Sequence, residues 1–177
     1  MNVVVPDEFQ YLYVTDAQHP VLKVPHDALR QPAQPIEKIT KGLQDTIDRM
    51  IRVMKAANGI GLAGPQLGIG KRVIVVAPSG AKPLPLINPT IVESDGEQVG
   101  VEGCLSIPGL YGDVKRAMRV VVEAYDRKGK PVAYELEGLP ARVVQHEIDH
   151  LDGVLFIDKV DAATLHWEHP LRGPEAE

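Results

Sequence analysis

Apolar residues recur at steps of three and four between residues 39 and 54, which is the spacing of one face of an α-helix. Acidic and basic residues fill the positions between them, and Thr40 stands where a capping side chain is needed. Asn58 and Gly59 are residues that commonly end a helix. The pattern therefore predicts an amphipathic helix that begins near Thr40. Its apolar stripe consists of Ile39, Leu43, Ile47, Met50, Ile51 and Met54.

Later stretches have the composition of β-strands. Residues 73–77 form an uninterrupted apolar run, as expected of a strand that is buried on both faces. Residues 117–126 and 132–137 alternate apolar and polar side chains, and the turn residues between them predict a hairpin. Shorter extended pieces are predicted at residues 86–93 and 154–157.

Residues 59–68 contain four glycines and one proline, a density that predicts a loop without regular structure. The loop lacks the Lys-Ser/Thr of a phosphate-binding loop, and a helix rather than a strand precedes it. We interpret it either as a tight connection or as a loop whose backbone lies against a ligand. In the second interpretation the Gln66 amide points into a site.

A second helix is predicted from Leu139 to Gly153, and it carries an H-E-x-x-H sequence. His146 and His150 are four residues apart, so both imidazoles lie on one face and can bind one metal ion. Glu147 lies beside them, where a general base can reach a water molecule at the metal. The apolar side chains of this helix require that it be buried. They are Val143, Val144, Ile148 and Leu151.

A metal site of this kind needs a third protein ligand, and Cys104 is the chain's single cysteine. A lone cysteine is more often a small core residue. Here the glycine and proline around it predict an irregular segment, and its thiolate would complete a Cys-His-His set with an open fourth position. The rival histidines lie in a proline-broken arm or a weakly patterned tail and are expected at the surface. They are His19, His26, His166 and His169.

The overall composition sets broader limits. A chain of 177 residues is most simply one domain, here with an N-terminal arm at 1–19 and a loosely ordered tail at 161–177. A net charge of −5 argues against nucleic-acid binding. The single cysteine fits a reducing compartment, and no stretch reads as a signal peptide or membrane span. A cytoplasmic location is therefore expected.

Three segments together resemble the motifs of peptide deformylases, in the same order and with similar spacing. They are residues 59–66 (GIGLAGPQ), 102–106 (EGCLS) and 145–150 (QHEIDH), within a similarity from about Pro20 to about Val160. The resemblance implies an α+β fold, with antiparallel β-sheets around a central metal-binding helix. It also implies a hydrolase of protein biosynthesis that removes the formyl group from the N-terminal formylmethionine of nascent polypeptides.

The resemblance also implies roles for individual residues. Cys104, His146 and His150 would bind one Fe²⁺, for which Zn²⁺, Ni²⁺ or Co²⁺ can substitute. Glu147 would transfer protons, while Gln66 and the Leu105 backbone N–H would hold the oxyanion. The remaining residues would bind substrate, through a methionine pocket that includes His146 or through backbone pairing with the peptide. They are Ile60, Leu139 and Val143 for the pocket and Gly61, Gly100 and Gly103 for the backbone.

Some positions depart from the family pattern. Gly64 stands where alanine or serine is usual, which predicts a looser Gln66 loop. Arg142 replaces a common apolar pocket residue, which predicts a more polar pocket mouth. The tail lacks the basic helix by which some members dock on the ribosome. Glu102 and Arg116 match charged positions of the family and are predicted to form an ion pair behind Cys104.

Three other protein classes share part of this pattern. A zinc endopeptidase also uses H-E-x-x-H, but usually takes a third ligand downstream. A structural metal site needs neither Glu147 nor the Gln66 loop. A cysteine hydrolase that pairs Cys104 with a histidine leaves the four-residue spacing of His146 and His150 unexplained.

Overall fold

The computed structural model describes residues 1–170 and has an α+β architecture, which confirms the predicted fold class. Two antiparallel sheets and two α-helices make up most of it. The helices are α1 (Lys41–Ala56) and α2 (Leu139–Leu151). The strands are β1 (Gly61–Ala63), β2 (Val73–Val76), β3 (Leu84–Asp95), β4 (Gln98–Cys104), β5 (Ile107–Arg116), β6 (Arg119–Tyr125), β7 (Pro131–Glu137) and β8 (His166–Trp167).

Helix α1 forms where the apolar stripe predicts it. The Thr40 hydroxyl accepts a hydrogen bond from the Leu43 backbone N–H at 3.1 Å and caps the first turn. Met50 and Met54 are almost completely buried, whereas Ile39 precedes the helix and is exposed. Helix α1 therefore attaches to the rest of the protein through one face.

The longer sheet has the order β1-β2-β3-β6-β7, and both of its faces are covered. Val73 and Val75 pack with the methionines of α1, while Ile74 and Val76 pack with α2. Because successive side chains of a strand point to opposite faces, this explains the uninterrupted apolar run of β2. The apolar side chains of α2 are accordingly buried against the longer sheet, as the sequence predicted.

The smaller sheet has the order β4-β5-β8. Among the described residues, β1 and β4 each have a strand partner on one side only, so each leaves one edge unpaired. A separate apolar cluster lies below this sheet, around Leu155, Phe156 and Ile157. No helix of the described residues is both long and apolar enough to cross a membrane.

Several local predictions were wrong. Within residues 59–68 the structure has strand β1 and a 3-10 helix at Gly64–Leu67, because backbone pairing with β2 holds residues 61–63 extended despite the glycines around them. Cys104 ends strand β4 and does not lie in an irregular segment. Residues 154–157 lead into a 3-10 helix at Phe156–Asp158 and form no strand.

Residues near the N-terminus and residues 166–167 pack against the body of the protein. Phe9, in a 3-10 helix at Asp7–Leu12, is 2% exposed and lies 5.1 Å from Trp167 between ring centroids. Trp167 belongs to β8, which pairs with Leu110 and Tyr111. The predicted loosely ordered tail at 161–177 thus begins with residues that include β8, and residues 171–177 lie outside the described part, so the tail stays a prediction.

Candidate active site

The two histidines of α2 and the cysteine at the end of β4 converge on one point. Their ligand atoms all lie within 4.8 Å of one another. His150 Nε2 lies 3.2 Å from His146 Nε2 and 3.4 Å from Cys104 Sγ. Bonds of about 2.1 Å to nitrogen and about 2.3 Å to sulfur around a tetrahedral ion would separate such atoms by about 3.3 to 3.6 Å. One thiolate and two imidazoles thus fit a single metal ion with a free position.

The orientation of the His146 ring is set by Glu102. Glu102 Oε1 lies 2.8 Å from His146 Nδ1, so Nε2 is the atom that faces the ligand cluster. A carboxylate behind a histidine ligand fixes the tautomer and ring orientation in many metal sites. Glu102 is only two residues before Cys104 on β4. The same strand therefore supplies the ligand candidate Cys104 and the carboxylate that orients His146.

Glu102 belongs to a buried cluster of charges. Arg116 donates to its two oxygens at 2.9 and 2.8 Å, which agrees with the predicted ion pair. Arg142 donates to Glu102 Oε2 at 2.6 Å, and Arg116 also donates to Asp149. Burial by itself raises the pKa of Glu102, but the hydrogen bonds from Arg116 and His146 outweigh it and hold the pKa well below its usual range.

Arg142 contributes to this cluster and does not simply make the pocket mouth polar. Its side chain is 7% exposed and also donates to the Val114 carbonyl at 2.9 Å. It borders the cavity described below, but its charge is engaged by Glu102. Arg142 thus lines the cavity while its guanidinium is bonded to Glu102, and a more polar pocket mouth stays a prediction.

Glu147 is a buried carboxylate without a basic partner. It is 4% exposed, and its Oε2 has no hydrogen-bond partner among the described residues. Burial raises the pKa of Glu147 to about 7. A carboxylate of this pKa can both accept and return a proton near neutral pH, as a general base that later acts as an acid must.

The space for Glu147 depends on Gly61 of β1. A Cβ atom at position 61 would collide with Glu147 Oε1 and would lie 2.9 Å from Glu147 Cδ. Only glycine leaves room for the carboxylate in this position. Gly61 was predicted to bind the peptide through its backbone, and the structure adds this steric reason for a glycine.

The environment shifts the pKa values of His146 and His150 in opposite directions. Burial alone lowers the pKa of His146, but the neighbouring Cys104 and Glu102 outweigh it and raise the pKa to about 10. Burial and the charges of His146 and Arg116 lower the pKa of His150 well below its ordinary value. A metal ion competes with protons for the same nitrogen and sulfur atoms, so metal binding to this set depends on pH.

The Gln66 amide is directed into the site, as predicted. Its Oε1 accepts a hydrogen bond from the Ala63 backbone N–H at 3.0 Å. This leaves Nε2 to donate to Ser106 Oγ at 3.2 Å, with Cys104 Sγ at 3.7 Å. Leu105, whose N–H was predicted to assist, lies in the two-residue turn between β4 and β5 and outside the strand ladder.

Gly64 tightens the Gln66 loop. A Cβ atom there would lie 2.8 Å from the Lys71 carbonyl oxygen and 2.9 Å from that of Ile69. The Ile69 backbone N–H in turn donates to the Gly64 carbonyl at 3.0 Å. The expected loosening is therefore not observed, because the absence of a side chain allows the backbone to close on itself.

A cavity of about 1060 Å³ borders the ligand cluster and Glu147. Its wall contains most of the predicted substrate-binding residues, namely Ile60, Gly61, Gly103, Leu139 and Val143. Gly100 is not part of this wall. It lies on β4, where its carbonyl oxygen is 3.4 Å from Arg142 Nη1.

Residues 18–165 match the sequence model of the polypeptide deformylase family. The chain belongs to the peptide deformylase family. A peptide deformylase of Desulfitobacterium hafniense is 47% identical over 143 residues, which cover 81% of this chain and 95% of that protein. One of Heliobacterium modesticaldum is 50% identical over 145 residues, with 82% and 95% covered.

Solved peptide deformylase structures have the same fold. The enzyme of Synechococcus elongatus, solved in complex with actinonin, superposes with a TM-score of 0.78 at 45% identity and with 80% of each chain covered. That of Thermotoga maritima gives a TM-score of 0.78 at 42% identity, with 80% of this chain and 96% of that chain covered.

Sequence reasoning missed the part that α2 plays in the charge cluster. Arg142, His146 and Asp149 are spaced at four and three residues, so they form one stripe that faces Glu102 and Arg116. That spacing is visible in the sequence and could have identified the cluster. Deformylase motifs also gave no reason to expect N-terminal residues in the cavity wall, where Tyr11 and Val14 lie.

We expect Glu102→Gln to lower the free energy of unfolding by about 3–5 kcal/mol at neutral pH, because it leaves two buried guanidiniums with one fewer carboxylate. The folded-state pKa of Glu102 lies below its unfolded value, so its stabilisation is complete above about pH 4 and is lost as the pH falls further. Urea unfolding of both proteins between pH 3 and pH 7, on the order of five pH values, measures this difference.

The matched control is Glu135→Gln, which removes an exposed carboxylate bonded to Arg119 and should change stability little. Equal stability of the wild type and Glu102→Gln at neutral pH would show that the cluster does not support the fold.

We expect Gly61→Ala to lower the turnover of a short formylmethionyl peptide by about 10²-fold, because the added methyl group displaces the Glu147 carboxylate. Metal content should stay unchanged, since no ligand candidate moves. Gly70→Ala is the control, because a Cβ atom at position 70 has no neighbour within 4 Å. Unchanged turnover in Gly61→Ala would contradict the role of this contact.

Proposed function

We propose that Cys104, His146 and His150 hold one Fe²⁺ ion, and that the chain uses it to hydrolyse the formyl group of N-terminal formylmethionine. As a member of its family, the chain is a hydrolase that removes the N-formyl group from nascent polypeptides. The observation that carries the residue assignment is the convergence of a thiolate and two imidazoles beside a buried, unpaired carboxylate.

The bound metal would lower the pKa of a water molecule and polarise the formyl carbonyl. Glu147 accepts a proton from the attacking water and passes it to the amine that leaves, for which a pKa of about 7 is suitable. Gln66 Nε2 and the Leu105 backbone N–H donate hydrogen bonds to the oxygen on which negative charge develops. The Gln66 amide is already oriented for this by Ala63.

The choice of iron rests on family resemblance. A Cys-His-His set is chemically well suited to Zn²⁺. Zn²⁺, Ni²⁺ and Co²⁺ are therefore proposed as substitutes. The upstream cysteine also distinguishes this site from that of a zinc endopeptidase, and the buried Glu147 distinguishes it from a purely structural metal site.

The substrate would bind between two unpaired strand edges. The edge of β1 carries Gly61, and the edge of β4 carries Gly100 and Gly103. An extended peptide can add its backbone to such edges while its side chains enter pockets between them. Ile60, Leu139 and Val143 would then receive the methionine side chain at the cavity wall. Gly100 would act through its backbone only, because it does not line the cavity.

The proposed setting is the cytoplasm, where a thiolate ligand stays reduced and nascent polypeptides are available. The whole chain is proposed to act as one catalytic domain, since the arm and residues 161–170 both pack on the same body. Ribosome docking through a basic C-terminal helix is not part of the proposal, because residues 161–170 contain no lysine or arginine.

We expect Cys104→Ala to lose its metal, because two imidazoles alone leave the site one ligand short. Metal content per chain, measured by elemental analysis after gel filtration, reports this directly. Ser106→Ala is the control, since it removes a buried hydroxyl that is no ligand candidate and should retain the ion. Full occupancy in Cys104→Ala would exclude Cys104 as a ligand.

We expect Glu147→Ala to retain metal and fold but to lose about 10²–10⁴-fold in turnover, the usual contribution of one general acid–base residue. The assay compares formyl-Met-Ala-Ser with its acetylated counterpart, of which only the formyl peptide should react. Loss of metal in Glu147→Ala would mean that Glu147 is a ligand. Near-normal turnover with the metal in place would rule out the proposed proton transfers.

A further inference from the structure

The cavity at the metal-ligand cluster is partly walled by a segment that precedes the family match. The match to the deformylase family begins at residue 18, yet Tyr11, Leu12, Val14 and Ala17 border the same cavity as Cys104 and Glu147. This part of the wall is therefore supplied by residues for which the family motifs assign no role. We call residues 11–17 the arm wall.

Contacts at the start of the arm wall and just before it hold this end in place. Phe9 is 2% exposed and stacks on His169 with 4.3 Å between ring centroids. The Tyr11 hydroxyl lies 3.1 Å from His169 Nδ1. These contacts join the N-terminal segment to the strand region around β8.

Contacts after the arm wall hold its other end. The Lys23 ammonium group donates to the carbonyls of Val14 at 3.1 Å and Val21 at 2.6 Å. The backbone N–H of Leu22 donates to the Gln66 carbonyl at 2.8 Å. The arm wall is thus fixed at both ends before any substrate arrives, so little conformational entropy is lost when a substrate binds to it.

The side chains of the arm wall that border the cavity are largely apolar, whereas the polar Thr15 and Asp16 are not part of the cavity wall. Tyr11 is 52% exposed and Val14 is 47% exposed. Val101 of β4, which also borders the cavity, is 59% exposed. Single exposed apolar residues are ordinary, but several around one cavity mark a surface that binds an apolar partner. At about 1060 Å³ the cavity is at the upper end of the usual range for small-ligand sites, so it has room beyond one methionyl residue.

We propose that the arm wall binds the residues that follow formylmethionine in the substrate polypeptide and favours apolar side chains there. This inference rests on the proposed function, because it takes the methionine side chain to occupy the pocket at Ile60, Leu139 and Val143. The downstream residues then extend along the remaining wall, where Tyr11 and Val14 are the accessible side chains.

The test compares kcat/KM for formyl-Met-Leu-Leu and formyl-Met-Asp-Asp in the wild type, Val14→Lys and Val4→Lys. The wild type should prefer the leucine peptide by about tenfold or more. In Val14→Lys the ratio of aspartate to leucine peptide should rise about tenfold, because the new ammonium group attracts aspartate and removes apolar contact from leucine. The charged neighbours are Lys23, which donates to the Val14 carbonyl, and Asp16, which pairs with His19, and their opposite charges are the same in the wild type and in both variants.

Val4→Lys is the matched control, since Val4 is an 84% exposed valine of the same N-terminal segment that does not border the cavity. It carries the same added charge and should keep the wild-type ratio within about twofold. The readout is the ratio of kcat/KM for the two peptides within one variant. A smaller folded fraction lowers both values equally and leaves this ratio unchanged. A gain in aspartate preference therefore cannot come from misfolding.

Equal ratios in Val14→Lys and Val4→Lys, or a wild type that turns over both peptides equally well, would overturn the arm-wall proposal and leave the proposed function standing. A metal-loaded wild type that deformylates neither peptide would overturn the proposed function, and the arm-wall proposal with it.

Discussion

The buried carboxylate of Glu102 connects the elements on which the site depends. It lies on β4, accepts hydrogen bonds from Arg116 of β5 and Arg142 of α2, and contacts His146. A buried carboxylate is costly unless it is paired, so the strands and the helix are held in the one arrangement that satisfies it. Since Cys104 follows Glu102 by two residues on the same strand, that arrangement also brings the cysteine to the two histidines.

The contrast between Glu102 and Glu147 shows how position decides the behaviour of a carboxyl group. Both are buried and both lie beside His146. Hydrogen bonds from Arg116 and His146 outweigh burial at Glu102 and hold its pKa below the usual range. Glu147 has no such donor among the described residues, and burial raises its pKa to about 7. One carboxylate therefore stays ionised and supports the structure, while the other can exchange a proton.

The sequence predicted the features that follow from local periodicity. The spacing of His146 and His150 and the apolar stripe of α1 need only the repeat of a helix. The strands β4 and β5 were missed because Gly100, Gly103 and Gly109 weaken the alternation that identifies a strand. The position of Cys104 beside the histidines joins residues far apart in the chain, so it followed from the need for a third ligand and from the family resemblance, and not from any local pattern. The spacing of Arg142, His146 and Asp149 places them on one stripe of α2, but it does not show that Glu102 of β4 is the carboxylate that the stripe faces.

Backbone hydrogen bonds connect the chain just after the arm wall to Gln66, whose amide is proposed to hold the oxyanion, and to Ser106. Backbone carbonyls of Gln66 and Ser106 accept hydrogen bonds from Leu22 and Val24, just after the arm wall. The side chains of the same two residues bond to each other on the side of Cys104. A shift of the arm would therefore move the backbone on which the Gln66 amide is mounted. The substrate contacts proposed at the arm wall and the hydrogen bonds proposed at the reacting carbonyl would consequently be linked through Gln66 and Ser106.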